Sequence, residues 1–183
     1  EIHNLSMSYR QSAELLALAD KIYQVERGVK SPYQCFLKDE TTPSPLWLES
    51  DDIDEKAEWI SERVMEIAKT YKSVPTIAIF TKDKRKAEEL KEALDDCDNL
   101  ENAGIDVKVC SDNTLEGEKT LRIFPIDQVK GMEFEVAFFH NVEELSSSMV
   151  ERYLYVGLSR AAFFLGVTSS KKGQLWETVG DLF

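Results

Sequence analysis

The sequence predicts an α/β fold: a doubly wound, mostly parallel sheet with helices on both faces. Three observations predict it. Short apolar runs rich in β-branched residues, such as VPTIAIFT from Val74 to Thr81, have the unbroken hydrophobicity of strands buried on both sides. Stretches with apolar residues at helical spacing alternate with those runs, as in β-α-β units. The composition, 183 residues of which 43% are hydrophobic and 31% charged, is that of a globular chain with room for a core. One domain spanning residues 1–183 is expected, with no internal repeat and no low-complexity tract.

The elements follow in order. SAELLALADKIYQ predicts a helix over Ser12–Gln24, with Leu15, Leu16, Ala19, Ile22 and Tyr23 on one face and Ser12 as N-cap. Residues 27–49 are polar and carry Pro32, Pro43 and Pro45, so irregular structure is expected there. Ile53, Ala57, Ile60, Val64, Ile67 and Ala68 predict a second helix over Ile53–Tyr71, preceded by Asp51 and Asp52, whose charge suits a helix N-terminus. A strand over Val74–Thr81 leads directly into the charged helix KDKRKAEELKEALDD. Further strands are expected at Ile105–Cys110, Leu121–Ile126, Glu135–Val142 and Phe163–Thr168. A helix is expected over Val150–Ala161 and another in the closing QLWETVGDLF.

Charge and cysteine usage narrow the function. Lys and Arg number 22 against 34 Asp and Glu, a net charge of −12, so nucleic acid would have to meet a local basic patch rather than the bulk charge. Three widely spaced cysteines (Cys35, Cys97, Cys110) outline neither a disulfide framework nor a zinc site, and a reducing, cytoplasmic setting is expected. No apolar run approaches the roughly 20 residues of a membrane span, so no membrane partner is expected. The start, EIHNLSMSYR, without an initiator Met or a leader, suggests a segment of a longer protein.

Three segments carry candidate chemistry. Between the strands at 121–126 and 135–142 runs Gln128-Val129-Lys130-Gly131-Met132-Glu133-Phe134. Ligands of open α/β sheets sit beyond the carboxyl ends of strands, and the turn is expected there. Gly131 permits close backbone approach, Lys130 offers a charge, and Glu133 suits a ribose hydroxyl. An ordinary strand connection with a solvated Lys and Glu is the alternative. In the helix at 150–161, Tyr153, Val156, Gly157 and Arg160 share one face. An Arg on an otherwise apolar face either reaches a phosphate or pairs with an acidic side chain, because an unpaired buried charge is costly. Finally, Tyr9 and Arg10 stand just ahead of the first helix, where a base could stack and an anion bind; a packing aromatic and a surface Arg are the alternative.

In combination these segments resemble the second RecA-like domain of superfamily 1 helicases of the UvrD/Rep/PcrA type. SYRQSAELLALA resembles motif IV, VKGMEFEVAFF motif V, and ERYLYVGLSRAAFFLGV motif VI. AIFTKDKRKAEELKEAL is similar to the strand and helix between motifs IV and V, with Lys82 where the family often has Arg. The resemblance implies a P-loop NTPase-related domain acting on ATP with Mg²⁺. It implies that Tyr9 stacks on adenine, Arg10 contacts the γ-phosphate, Gly131 and Glu133 approach the nucleotide, and Arg160 is the arginine finger. Arg160 and Arg10 are thus the candidate catalytic residues. Lys82, Lys84 and Lys130 are the candidate nucleic-acid contacts, with single-stranded DNA or RNA as ligand.

No G-x-x-x-x-G-K-[ST] phosphate loop occurs in the chain, and the acidic pair Glu143-Glu144 after EVAFFHNV stands in the motif V context rather than that of a Walker B site. The family keeps both in an N-terminal RecA-like domain, which would be the partner and would hold most of the ATP and Mg²⁺. Two departures bear on the branch. The Thr and His that precede motif V in UvrD-like enzymes are replaced by Pro125 and Asp127, and the large accessory insertion is missing. Both features bring the chain nearer to the HelD-like branch, which acts on RNA polymerase. A non-catalytic α/β interaction module is the rival from another functional class.

Other signals are assigned no site. The basic run Lys82, Lys84, Arg85, Lys86 also fits a solvated helix face with pairs such as Lys84–Glu88. The acidic stretches 49–58 and 95–101 read as solvated surface or helix caps. His3 and His140 are isolated and receive no role, and Trp47, Trp59 and Trp176 read as packing residues.

Overall fold

The computed structural model describes residues 7–8, 12–28, 34–35, 43–110, 119–128, 134–144, 161–171, 177 and 180. Eight strands appear in chain order: β1 (Met7–Ser8), β2 (Gln34–Cys35), β3 (Leu46–Glu49), β4 (Ile77–Thr81), β5 (Asp106–Val109), β6 (Thr120–Pro125), β7 (Phe134–Phe139) and β8 (Ala161–Ser169). Among the described residues four α-helices accompany them: α1 (Ala13–Arg27), α2 (Ile53–Tyr71), α3 (Lys84–Asp95) and α4 (Asp98–Ala103). Strands β1 and β2 form a small parallel pair; the other six make one sheet in the order β3-β8-β7-β4-β6-β5. Every pairing in that sheet is parallel, as the continuous apolar runs predict.

Side-chain alternation along the strands divides the core into two layers. Ala78 and Phe80 of β4 face Leu15, Leu18, Ala19 and Ile22 of α1, together with Phe124, Phe139, Leu165 and Val167. Ile77 and Ile79 face the opposite layer, where α2, α3 and α4 contribute Ala57, Ile60, Val64, Leu90, Leu94 and Leu100. Helices therefore cover both faces, as expected. Burying each Ile, Leu or Phe contributes roughly 1.5–3 kcal/mol, so the two layers dominate the stability of the sheet. Phe138 packs edge-on against Trp59, with ring centroids 6.1 Å apart. Gly166 of β8 is needed at this point, because a Cβ there would sit 2.5 Å from Phe138 Cε1.

Helix boundaries follow their caps. Ser12 Oγ accepts the Leu15 amide at 3.3 Å, and Gly28, at φ 69°, ends α1 in the left-handed region. Asp52 accepts from the Asp54 amide at the start of α2, and Asp83 from the Lys86 amide at the start of α3. Helix α1 runs three residues beyond the expected Gln24, to Arg27.

Four expectations need correction. Residues 46–49 are not irregular: they form β3, an edge strand paired with β8. The acidic residues of 95–101 are solvated as expected, but the stretch also contributes a helix that was not expected, α4, held by buried Leu100 and closed by Gly104 at φ 64°. The strand expected over Glu135–Val142 stops at Phe139, because Asn141 takes a φ of 55° and turns the chain into a 3₁₀ segment at Val142–Glu144. Ala161, expected to end a helix, is the first residue of β8.

Candidate functional site

The chain order across the sheet identifies where a ligand crevice opens. From β4 the chain winds to one side through β5 and β6, then crosses β4 to build β7 and β8 on the other. Strand β4 is thus the topological switch point, and its carboxyl edge is the expected crevice of a parallel sheet. Lys82 and Asp83 follow β4 there, Ile126–Gln128 follow β6, and His140 and Asn141 follow β7. Lys82 and Lys84 are exposed at this edge and make no ion pair among the described residues. Asp127, in the place of the expected His, is exposed there as well.

A polar network that sequence reasoning missed lies beneath this edge. Lys56 of α2 is 2% exposed, and its ammonium donates to Asn141 Oδ1 at 2.6 Å and Ser170 Oγ at 3.2 Å. The Asn141 amide donates to Thr168 Oγ1 at 3.3 Å, and that hydroxyl lies 3.1 Å from His140 Nδ1. The Ser170 amide donates to Glu143 Oε1 at 2.9 Å. His140 is 3% exposed, and its Nε2 has no hydrogen-bond partner. Burial, reinforced by the positive charges of Lys56 and Lys86, pushes the His140 pKa from 6.5 down to about 3, so the ring is neutral. Burial also lowers the pKa of Lys56, opposed by the nearby carboxylates of Glu143, Asp51 and Glu144. A buried cation with two good acceptors and nearby anions is a tie between elements rather than a reactive amine.

The basic run divides in two. Arg85 pairs with Glu89 one turn on, while Lys86 turns inward to Glu144 Oε1 at 2.9 Å and Glu89 Oε2 at 3.2 Å. The hydrogen bond to Glu144 raises the Lys86 pKa more than any other contact does. The i,i+4 pairing expected for Lys84 with Glu88 is instead made by Arg85 with Glu89.

Tyr9, Arg10, Lys130, Gly131, Glu133 and Arg160 lie outside the described residues, as do His3, Trp176 and the helix expected over Val150–Ala161 up to residue 160. Strand β6 ends at Pro125 and β7 begins at Phe134, with the candidate residues Lys130, Gly131 and Glu133 between them in sequence. Phe134 and Ala161, which follow Glu133 and Arg160 in sequence, are register partners where β7 and β8 begin. Trp47 and Trp59 are packing residues as expected: Trp47 Nε1 donates to Ser169 Oγ at 2.9 Å, and Trp59 sits on Phe138. Among the described residues no helix is long and apolar enough to cross a membrane, and no cluster of His, Cys, Asp or Glu could hold a metal ion.

Comparison with known proteins establishes the fold. The chain resembles the C-terminal domain of a possible DNA helicase from Lactobacillus plantarum WCFS1, with a TM-score of 0.67 over 94% of both chains at 19% identity. An Arterivirus nonstructural protein 10 helicase solved with DNA overlaps less, with a TM-score of 0.43 over 69% of this chain and 28% of that one, at 16% identity. No protein-family model and no curated protein sequence matches. The fold is α/β and RecA-like, of the kind found in a helicase C-terminal domain.

Proposed function

We propose that this chain is the C-terminal motor domain of an ATP-dependent superfamily 1 helicase or translocase. It would complete a nucleotide cleft shared with an N-terminal RecA-like domain that supplies the phosphate loop and Mg²⁺ ligands. The observation that carries this reading is the β7–β8 register. Phe134 is paired with Ala161, and each directly follows a candidate nucleotide-binding position in sequence, Glu133 and Arg160, which supports their acting together. In this reading Glu133 and Gly131 meet the ribose and backbone side of ATP, Arg10 and Arg160 the γ-phosphate, and Tyr9 the adenine. Lys82 and Lys84, with Lys130, meet the phosphates of single-stranded DNA. The helicase C-terminal-type fold supports the same reading.

Pro125 ending β6, and a chain that passes from β5 to β6 through residues 110–119 alone, favour as a second reading the HelD-like branch and its RNA polymerase partner.

An arginine finger acts where charge develops in the transition state, so its loss falls on kcat more than on KM. In the protein that joins this chain to its ATPase domain, Arg160→Ala and Arg160→Lys should each lower nucleic-acid-stimulated turnover by at least about 10²-fold. Steady-state kinetics alongside a melting curve provide the test. A stably folded Arg160→Ala protein with normal kcat contradicts the assignment.

A further inference from the structure

We infer that Glu144 sets the nucleic-acid affinity of the carboxyl edge by holding Lys86 away from the basic turn at 82–86. This rests on the reading that Lys82 and Lys84 meet the phosphates of single-stranded DNA. Four basic side chains occur in that turn, yet only Lys82 and Lys84 stand exposed without an ion pair among the described residues. Arg85, in contact with Glu89, is a surface pair of the i,i+4 kind, worth a few tenths of a kcal/mol and easily exchanged for a phosphate. Lys86 differs, because besides Glu89 on its own helix at 3.2 Å it has a nearer partner, Glu144 at 2.9 Å, that comes from another element.

Glu144 belongs to a segment that is held on its amino-terminal side. The Glu144 amide donates to the Asn141 carbonyl at 3.0 Å, and Asn141 is itself held through its side chain by Lys56 and through its amide by Thr168. Glu143 is tied to the Ser170 amide. The side chains of Lys86 and Glu144 are 21% and 24% exposed, so water screens their contact less than it screens Arg85 and Glu89. A carboxylate held this rigidly loses little side-chain entropy when it takes the ammonium, so the pair competes well with a passing phosphate. The expected result is a weak contact surface, two cations in place of four, on a domain of net charge −12. Weak contact suits a surface that must release each phosphate in turn.

Counterion release makes the proposal quantitative. Each phosphate contact on a single strand adds about −0.7 to the slope of log K against log salt, so freeing one lysine strengthens binding roughly fivefold near 0.1 M salt. The probe is a fluorescein-labelled oligothymidylate, titrated by anisotropy against the 183-residue chain between about 20 and 200 mM salt. Glu144→Gln should tighten binding by about fivefold and steepen the slope by about 0.7. Lys86→Gln alone should leave the slope at the wild-type value, and the double variant should match wild type. NMR titration of the Lys86 ammonium, whose pKa should fall in Glu144→Gln, reports the lost pair without reference to DNA. An unchanged slope in Glu144→Gln, or a flattened one in Lys86→Gln, overturns the inference; the second arm decides even if Glu144→Gln fails to fold. Lys82→Gln/Lys84→Gln separates the two readings. If it weakens binding while Glu144→Gln does nothing, only the inference fails; if it leaves binding unchanged, the assignment of this edge to nucleic acid fails.

Discussion

The two edges of the sheet are built differently. At the carboxyl edge a buried lysine and a buried histidine join β7 and β8 to α2 through Asn141, Thr168 and Ser170, and Lys86 ties α3 to the same segment. At the amino edge the polar contacts are exposed: Glu135 Oε2 accepts from the Thr76 amide at 2.7 Å and its hydroxyl at 3.0 Å. Phe134 and Ala161 begin their strands side by side at that edge. The difference teaches that the carboxyl edge is organised within this domain, whereas the amino edge offers strand starts to which Glu133 and Arg160 are attached. A surface for a repetitive polymer can be complete in one domain. In the proposed reading, the nucleotide cleft is shared with a facing domain.

The largest expected effect on stability comes from Lys56. Lys56→Met keeps the length of the side chain but leaves Asn141 Oδ1 and Ser170 Oγ without their shared donor. It should cost about 2–3 kcal/mol in urea unfolding, because hydrogen bonds from a charged donor are among the stronger ones. Faster amide hydrogen exchange should concentrate at Asn141 and Ser170 rather than at β5. A loss below about 0.5 kcal/mol would show that the tie at the carboxyl edge is ornamental, since that is the range of ordinary surface substitutions.

His140 gives the carboxyl edge a pH dependence. Its folded-state pKa, about 3, lies below the ordinary 6.5, so the unfolded chain takes up the proton first as pH falls. The contribution of the neutral ring is therefore present above pH 6.5 and is lost as the pH drops from there toward about 3. Between pH 7 and 5 the loss should reach about 2 kcal/mol, an interval in which most carboxylates change little. The positive charges of Lys56 and Lys86 beside the ring oppose its protonation. His140→Gln should remove this part of the profile, while Thr76→Val at the amino edge should keep it. Identical pH slopes for wild type and His140→Gln would contradict the burial of a neutral ring.

Much of the fold was legible because its signals are local. Helix α2 runs over Ile53–Tyr71 as expected, since Asp52 caps it and its apolar residues repeat at helical spacing. Strand β4 was legible from five consecutive buried residues. Strand β3 was not, because a four-residue edge strand is half-exposed, and Pro43 and Pro45 just before it read as breakers. Helix α4 carries a single buried side chain, Leu100, among acidic neighbours, too little for a periodic pattern. The network at the carboxyl edge was invisible for a different reason. Lys56 stands 85 residues from Asn141, and His140 stands 28 from Thr168, so each looks isolated until the strands are placed side by side. The candidate nucleotide residues were legible as motifs, and Tyr9, Arg10, Gly131, Glu133 and Arg160 lie outside the described residues.

The proposed function divides the labour, with nucleotide met by Glu133 and Arg160 and nucleic acid met at the carboxyl edge by Lys82 and Lys84. Its most direct test measures steady-state ATPase in the joined protein as a function of single-stranded DNA concentration, for Arg160→Ala and for Lys82→Gln/Lys84→Gln. Arg160→Ala should lower the turnover reached at saturating DNA by at least about 10²-fold and leave the half-saturating DNA concentration near wild type. Lys82→Gln/Lys84→Gln should raise the half-saturating concentration several-fold and leave the saturated turnover within about twofold, because lost phosphate contacts weaken binding without touching the transferred group. If both variants change the same kinetic parameter, the two sets of residues do not divide the work, and the account is wrong.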